Sequence, residues 1–163
     1  DSSGSHYDFP LPVATSDTTG FTSVAAGGLH TCASGVSVTY CWGSDRYAQI
    51  GNRTISATDD SLPTAMDSTL GLRSLTGDTA STVALGLGNK VYWWGTRGAS
   101  LSAPVSADRS ALPKAVPNYT FISIATGRGV SCGLLSNNFV FCWGSSADPN
   151  FPATDKPAGV PAP

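Results

Sequence analysis

An all-β chain of three repeated units is what this sequence predicts, and three observations carry that expectation: a self-similar period, alternating apolar residues, and composition. With 163 residues the chain is long enough for one core or a handful of small repeated units. Ser (22) and Thr (17) make up 39 of those residues, and with Gly 18 and Pro 11 the polarity is carried by hydroxyls and turns, as suits strands and loops. A 40% hydrophobic content with 15 aromatic residues can fill a core, which argues against disorder. Lys+Arg 9 against Asp+Glu 11 gives a net charge of -2, so no basic surface is available to track phosphates and nucleic acid is not expected as a partner. The apolar runs are only a few residues each, too short for a helical membrane span.

Self-comparison aligns three segments. Phe21-Thr22-Ser23-Val24-Ala25-Ala26-Gly27 leads to Thr31-Cys32-Ala33 and Tyr40-Cys41-Trp42-Gly43; Leu72-Arg73-Ser74-Leu75 leads to Thr82-Val83-Ala84 and Tyr92-Trp93-Trp94-Gly95. Phe121-Ile122-Ser123-Ile124-Ala125-Thr126-Gly127 leads to Ser131-Cys132-Gly133 and Phe141-Cys142-Trp143-Gly144. The Trp-Gly pairs fall 52 and then 49 residues apart. A further echo, Leu11-Pro12, Leu62-Pro63 and Leu112-Pro113, stands ahead of each unit.

Within a unit the apolar residues alternate (Val38, Tyr40, Trp42; Val91, Trp93; Phe139, Phe141, Trp143) between runs of Gly, Ser and Asn, which is the period of strands. Each unit reads as an outer strand near Leu-Pro, a strand ending at the repeat's Gly or Asp, and a hairpin closing on Trp-Gly. Pro in the outer strand fits an edge, where a missing donor matters least. Several strands in a period near fifty is the arithmetic of β-propeller blades. The expected organisation is an N-terminal segment (1–20) with an outer strand, blade repeats at 21–61, 62–111 and 112–147, and a Pro-rich tail at 148–163. The repeat tryptophans Trp42, Trp94 and Trp143 are its expected core.

The four cysteines fall as Cys32/Cys41 and Cys132/Cys142, one on each strand of a hairpin. In the middle unit both positions change together, to Val83 and Trp93. Joint loss is what a bonded pair predicts, because a lone thiol would have no partner. Two intra-hairpin disulfides are therefore expected, and with them an oxidising compartment. Zinc is the weaker reading, since no Cys-x-x-Cys occurs and His6 and His30 are the only histidines.

The pattern Val-Ala-Ala-Gly-Gly-x-His-Thr-Cys-Ala, then Tyr-Cys-Trp-Gly-Ser, then Ala-Gln-Ile-Gly at 48–51, resembles the repeat of the regulator of chromosome condensation superfamily. Its Cys-Trp-Gly form resembles the extracellular branch, as in the ectodomains of crinkly-type plant receptor kinases. The likeness runs to about Ser146; the middle unit matches poorly, with Asp78 and Ser81 in place of Gly and His. The resemblance implies a seven-bladed propeller of four-stranded blades, whereas three units are present here.

Three blades cannot close a ring at that curvature, so a partial or oligomer-completed propeller is expected, with strand edges unpaired at both ends. The strand at Leu11-Pro12 has no earlier blade to join, and the last unit ends at Gly144 still wanting an outer strand. Either Phe151-Pro152 and its neighbours patch the last blade, or the N-terminal strand of one copy completes the last blade of another, giving a ring or a filament. A longer parent chain would supply the missing blades equally well. The start at Asp1, with no Met and no charged-then-apolar leader, has the form of a chain whose signal has been removed, and equally of a trimmed one.

Catalytic chemistry finds little support, and neither an enzyme nor a cofactor nor a metal site is expected. The resemblance makes His30 a packing residue between blades, and neighbouring carboxylates such as Asp59-Asp60 are normally solvated; no Asp-x-Asp-x-Asp-Gly loop is present. No Gly-x-Ser-x-Gly elbow occurs. Gly27-Gly28 and Gly127-Arg128-Gly129 are turns with no helix following to cradle a phosphate. Trp93, the one tryptophan outside the repeat, is a minor candidate for sugar stacking. Asn52-Arg53-Thr54 and Asn118-Tyr119-Thr120 are N-glycan acceptors for a secreted chain. The tail reads as an extended linker, with hydroxyproline glycosylation as the rival. The leading expectation is a secreted, non-enzymatic structural module that self-associates or pairs with another propeller-repeat chain, as in an extracellular fibre or coat. The alternative is a receptor-ectodomain-like module that binds protein, peptide or glycan on loops around Asp45-Tyr47 and Arg97-Ser100.

Overall fold

Strands that follow one another across short turns pair antiparallel at the smallest loss of chain entropy, and the computed structural model shows that arrangement three times. It describes residues 20–36, 38–66, 69–96, 109–127, 129–144 and the backbone of 154–159. The first sheet runs in the order β1 (Phe21–Ala26), β2 (His30–Gly35), β3 (Thr39–Gly43), β4 (Asp60–Ala65). The second runs β5 (Arg73–Gly77), β6 (Ser81–Leu85), β7 (Lys90–Thr96), β8 (Arg109–Thr120), with a short 3-10 turn at Leu87–Asn89 between β6 and β7. The third runs β9 (Ser123–Gly127), β10 (Val130–Leu134), β11 (Val140–Gly144), β12 (Thr154–Gly159). All pairings are antiparallel, so each sheet is a four-stranded meander, the form of a propeller blade.

The glycine of each Trp-Gly pair has a backbone reason. Gly43, Gly95 and Gly144 have φ of +98°, +89° and +122°, a region that L side chains rarely adopt. A Cβ there would lie 2.6, 2.3 and 2.2 Å from the carbonyl oxygens of Leu29, Ala80 and Gly129. At the same place the outer strand slips register, between Cys41 and Gly43, Trp93 and Gly95, and Cys142 and Gly144. A bulge at one point of the repeat turns the outer strand alike in all three blades.

Sheet pairing corrects the expected boundaries. The Leu62-Pro63 strand is the outer strand of the first blade, and Leu112-Pro113 that of the second. Blades therefore comprise Phe21–Ala65, Arg73–Thr120 and Ser123–Gly159, in place of 21–61, 62–111 and 112–147. The physical reason is that each outer strand lies along the free edge of the hairpin that has just ended, and consecutive strands tend to be neighbours. In the tail, residues 154–159 form β12 on the edge of β11, so this stretch is a strand in place of a linker and the last blade is patched from within, one of the two expected outcomes. The third blade is thus completed within its own chain, and strand donation from another copy is not needed there. Pro63, Pro113, Pro117 and Pro157 all lie in outer strands, where no further strand among the described residues asks for their missing N–H. Leu11-Pro12 and Phe151-Pro152 lie outside the described residues.

The apolar core sits between the sheets. The first seam, between blades 1 and 2, gathers Ala25, Cys32, Cys41, Ile50, Met66, Leu72, Leu75, Ala84 and Trp94. The second, between blades 2 and 3, gathers Val83, Leu85, Val91, Trp93, Val116, Phe121 and Trp143. Blade 2 is covered on both faces, so all five residues of β6 are buried, and its run Ser-Thr-Val-Ala-Leu loses the polar–apolar contrast of a half-solvated strand.

Candidate functional site

Successive side chains of a strand point to opposite faces, so each blade has two distinct faces. One carries the repeat tryptophan with the Thr or Ser opposite it; the other carries the Cys pair or its substitute. The cross-strand pairs Cys32–Cys41, Val83–Trp93 and Cys132–Cys142 occupy one register point in their hairpins. Both cysteine pairs are disulfides, with Cα atoms 4.1 Å apart.

In the first seam the Cys face of blade 1 meets the Trp face of blade 2. Cys32 and Cys41 are wholly buried beside Thr82 and Met66. His30 Nε2 and Thr82 Oγ1 lie 2.8 Å apart, so the imidazole joins the blades as the resemblance implied. Burial pushes the His30 pKa down to about 4, partly offset by the Asp78 carboxylate. The indole of Trp94 donates to the Gln49 carbonyl oxygen at 2.8 Å. Ser23 Oγ accepts the Leu75 amide at 3.0 Å.

The loop that presents Gln49 is built on Asp45, whose carboxylate accepts the Ile50 amide at 3.1 Å while its carbonyl accepts that of Ala48 at 3.0 Å. Asp45, Gln49 and Ile50 are all buried. Burial holds the Asp45 carboxyl above the usual carboxylate range, opposed by the Ile50 amide and reinforced by the charge of Asp60. Asp45 is accordingly a loop-former, not the ligand-facing residue expected for a recognition loop. Arg97-Ser100 lie outside the described residues.

In the second seam, Trp93 corrects the idea of a sugar platform. It is 4% exposed, pairs directly with Val83, and joins a cluster with Phe121 and Trp143, whose rings stack at 5.6 Å. Its indole supplies the bulk that a disulfide supplies elsewhere. Lys114 Nζ lies 5.7 Å from the Trp93 ring, as in a cation–π contact. Thr76 and Thr126 hydroxyls meet at 2.9 Å across the seam.

Asp78 was legible only as a departure from the repeat's Gly, and its role is tertiary. Its carbonyl accepts the Gly28 amide of blade 1 at 3.1 Å, and its carboxylate accepts the Gly129 amide of blade 3. One residue of the middle blade thus ties both neighbours.

The two outward faces complete the site. Trp94 and Trp143 are 0% and 4% exposed, but Trp42, on the face of blade 1 turned away from blade 2, is half-buried. Beside it Val24 is 68% exposed, whereas Leu75 at the same repeat position is 9% exposed. At the other end, Cys132 is half-buried where Cys32 is wholly buried. Of the sequons, Asn118 is exposed in outer strand β8, and Asn52 is half-buried with its amide oxygen accepting from the Thr54 amide and hydroxyl. Asp59 is exposed, and among the described residues no three His, Cys, Asp or Glu side chains gather into a metal-holding group.

These blades and seams have the architecture of a β-propeller, and solved propeller structures resemble them. Human WBSCR16 has a similar structure at 17% identity and a TM-score of 0.72, covering 91% of this chain and 39% of that one. Yeast RCC1 (Prp20), solved bound to Kap60, is similar at 18% identity and a TM-score of 0.71, covering 87% of this chain and 37% of the other. The entire ectodomain of the Physcomitrella patens receptor kinase CR4 is similar at 23% identity and a TM-score of 0.50, covering 80% and 29%. The chain thus spans about two fifths or less of these solved structures. No family model and no curated protein matches it.

Proposed function

We propose that this chain is a secreted, non-enzymatic structural module that associates through its end blade faces, as a subunit of an extracellular fibre or coat would. The observation that carries the reading is the contrast between Trp42 with Val24, turned outward, and the equivalent Trp94 with Leu75, buried against a neighbouring blade. Apolar blade faces are seam material, and burying one against a partner removes that surface from water at about 25 cal/mol per Å². Two disulfides support an oxidising compartment, and the exposure of Asn118 in an outer strand is compatible with an N-glycan there. Cross-linked hairpins and low charge suit durability outside a cell.

Sedimentation velocity of the purified full chain tests the reading: concentration-dependent species above the monomer are expected, and a strict monomer at all concentrations overturns it. Secretion is tested separately. Intact mass from a eukaryotic secretory host should fall on glycosidase treatment by the mass of N-glycans at Asn118 or Asn52, and an unshifted mass argues against the glycoprotein part.

A further inference from the structure

The two faces that no described residue covers are of opposite kinds. Both internal seams join a Cys-type face to a Trp-type face: Cys32–Cys41 against Trp94, and Val83–Trp93 against Trp143. What remains is one Trp-type face on blade 1 (Val24, Tyr40, Trp42) and one Cys-type face on blade 3 (Ala125, Cys132, Cys142). Within the chain the matching positions are closed, since Leu75 and Trp94 are buried on the Trp side and Ala25, Cys32 and Cys41 on the Cys side. Here Val24 and Ala125 are exposed and Trp42 and Cys132 half-buried.

Resting on the self-association reading above, the geometry points to its partner and its polarity: a second copy of this chain docks head to tail, its blade 3 face against the blade 1 face of the first. The contact continues the internal seams by one more step of the repeat. Ser123 falls where Ser23 falls, and Val24 where Leu75 falls, so the Ser23–Leu75 hydrogen bond of the first seam has its counterpart ready in Val24 N–H donating to Ser123 Oγ of the neighbour. Val130 takes the place of His30, and Thr31 that of Thr82, so this seam holds an apolar contact where the first holds an imidazole. Such an interface is heterologous: each copy offers both halves, and growth ends only where the rotation closes a ring. A pairing of like faces, Trp42 against Trp42, would leave both Cys-type faces open and has no precedent in either internal seam.

The test blocks each face separately in the full chain. Val24→Arg buries a charge in the head face and Ala125→Arg in the tail face; both positions are exposed in the single chain, so folding is preserved and is checked by circular dichroism. Trp42→Ala serves as a second head variant. In sedimentation velocity each single variant should associate at least a hundredfold more weakly than the parent. An equimolar mixture of Val24→Arg with Ala125→Arg should restore 1:1 pairs and nothing larger, because it contains one intact head and one intact tail. If Ala125→Arg still dimerises and Val24→Arg does not, like faces pair and the head-to-tail contact is wrong while self-association stands. If every variant associates as the parent does, other surfaces are in use, or residues 1–19 occupy the head, and the contact is equally wrong. A monomeric parent overturns both readings.

Discussion

Between blades 1 and 2 the cross-strand position holds a buried disulfide beside a histidine, a threonine and a backbone carbonyl; between blades 2 and 3 it holds Val83 and Trp93 among aromatic rings. The backbone register is the same in both. A propeller seam at this point therefore needs volume and cross-strand cohesion, and either a covalent bridge or an indole provides them. The choice carries consequences: the disulfide secures the hairpin of the first seam covalently, whereas the second seam has no bridge and rests on ring packing together with the Thr76–Thr126 and Asp78–Gly129 hydrogen bonds.

The sharpest way to break the comparison is Trp93→Ala. Without a bridge behind it, loss of a buried indole should cost about 3–5 kcal/mol, read as a lowered urea midpoint; a cost near 1 kcal/mol would mean that the second seam is not held by that ring. Acid acts on the other seam. The His30 pKa is about 4 in the folded chain against 6.5 ordinarily, so the unfolded chain binds the extra proton between those values. Stability linked to His30 is full above pH 6.5 and should fall by roughly 3 kcal/mol as pH drops to 4. His30→Gln should flatten that slope, and an unchanged slope would exonerate the imidazole. Asp45 works with the opposite sign, because a raised carboxyl pKa favours the folded state as it becomes protonated.

Next in size, Cys32→Ala with Cys41→Ala should cost about 2–3 kcal/mol from loop closure, with a cavity cost added in the buried seam. The matched pair Cys132→Ala with Cys142→Ala closes a loop of similar length, with separations of 10 and 9 residues. It should therefore cost less, because Cys132 is half-buried. Equal costs by chemical denaturation would show that the outward face of blade 3 is covered as fully as the inner one. The smallest effect is expected of Asp78→Asn, which leaves an acceptor for Gly129 but removes its charge: about 0.5–1.5 kcal/mol, with the His30 titration, followed by NMR, moving to still lower pH as the favourable carboxylate disappears.

Much of the fold was legible because it is local. Alternation, the Trp-Gly pairs and the joint replacement of two cysteines by Val83 and Trp93 reflect contacts inside one hairpin, where partners are about ten residues apart. The glycine of each pair answers a positive φ and a carbonyl too close for a Cβ, needs that recur wherever the hairpin recurs. The outer strands were harder. Leu62-Pro63 and Leu112-Pro113 carry the same pattern whichever hairpin they join, and Thr154–Gly159, which completes the third blade, keeps its proline as Pro157 but has Lys156 in place of the leucine. For an edge strand, backbone pairing to a free edge suffices, so the side chains announce little. The bridge made by Asp78 and the burial of Asp45 left no signal beyond a deviation from the repeat.

The amino-acid sequence alone determined the three units, their strand period and the pairing of the four cysteines, because hairpin neighbours specify one another at short range. Only the tertiary structure decided which strand closes which blade, which side of each sheet meets another, and that Trp42 and Trp94, identical in the repeat, differ in exposure. Burial is a property of what stands opposite a residue, and that neighbour lies a whole repeat away along the chain.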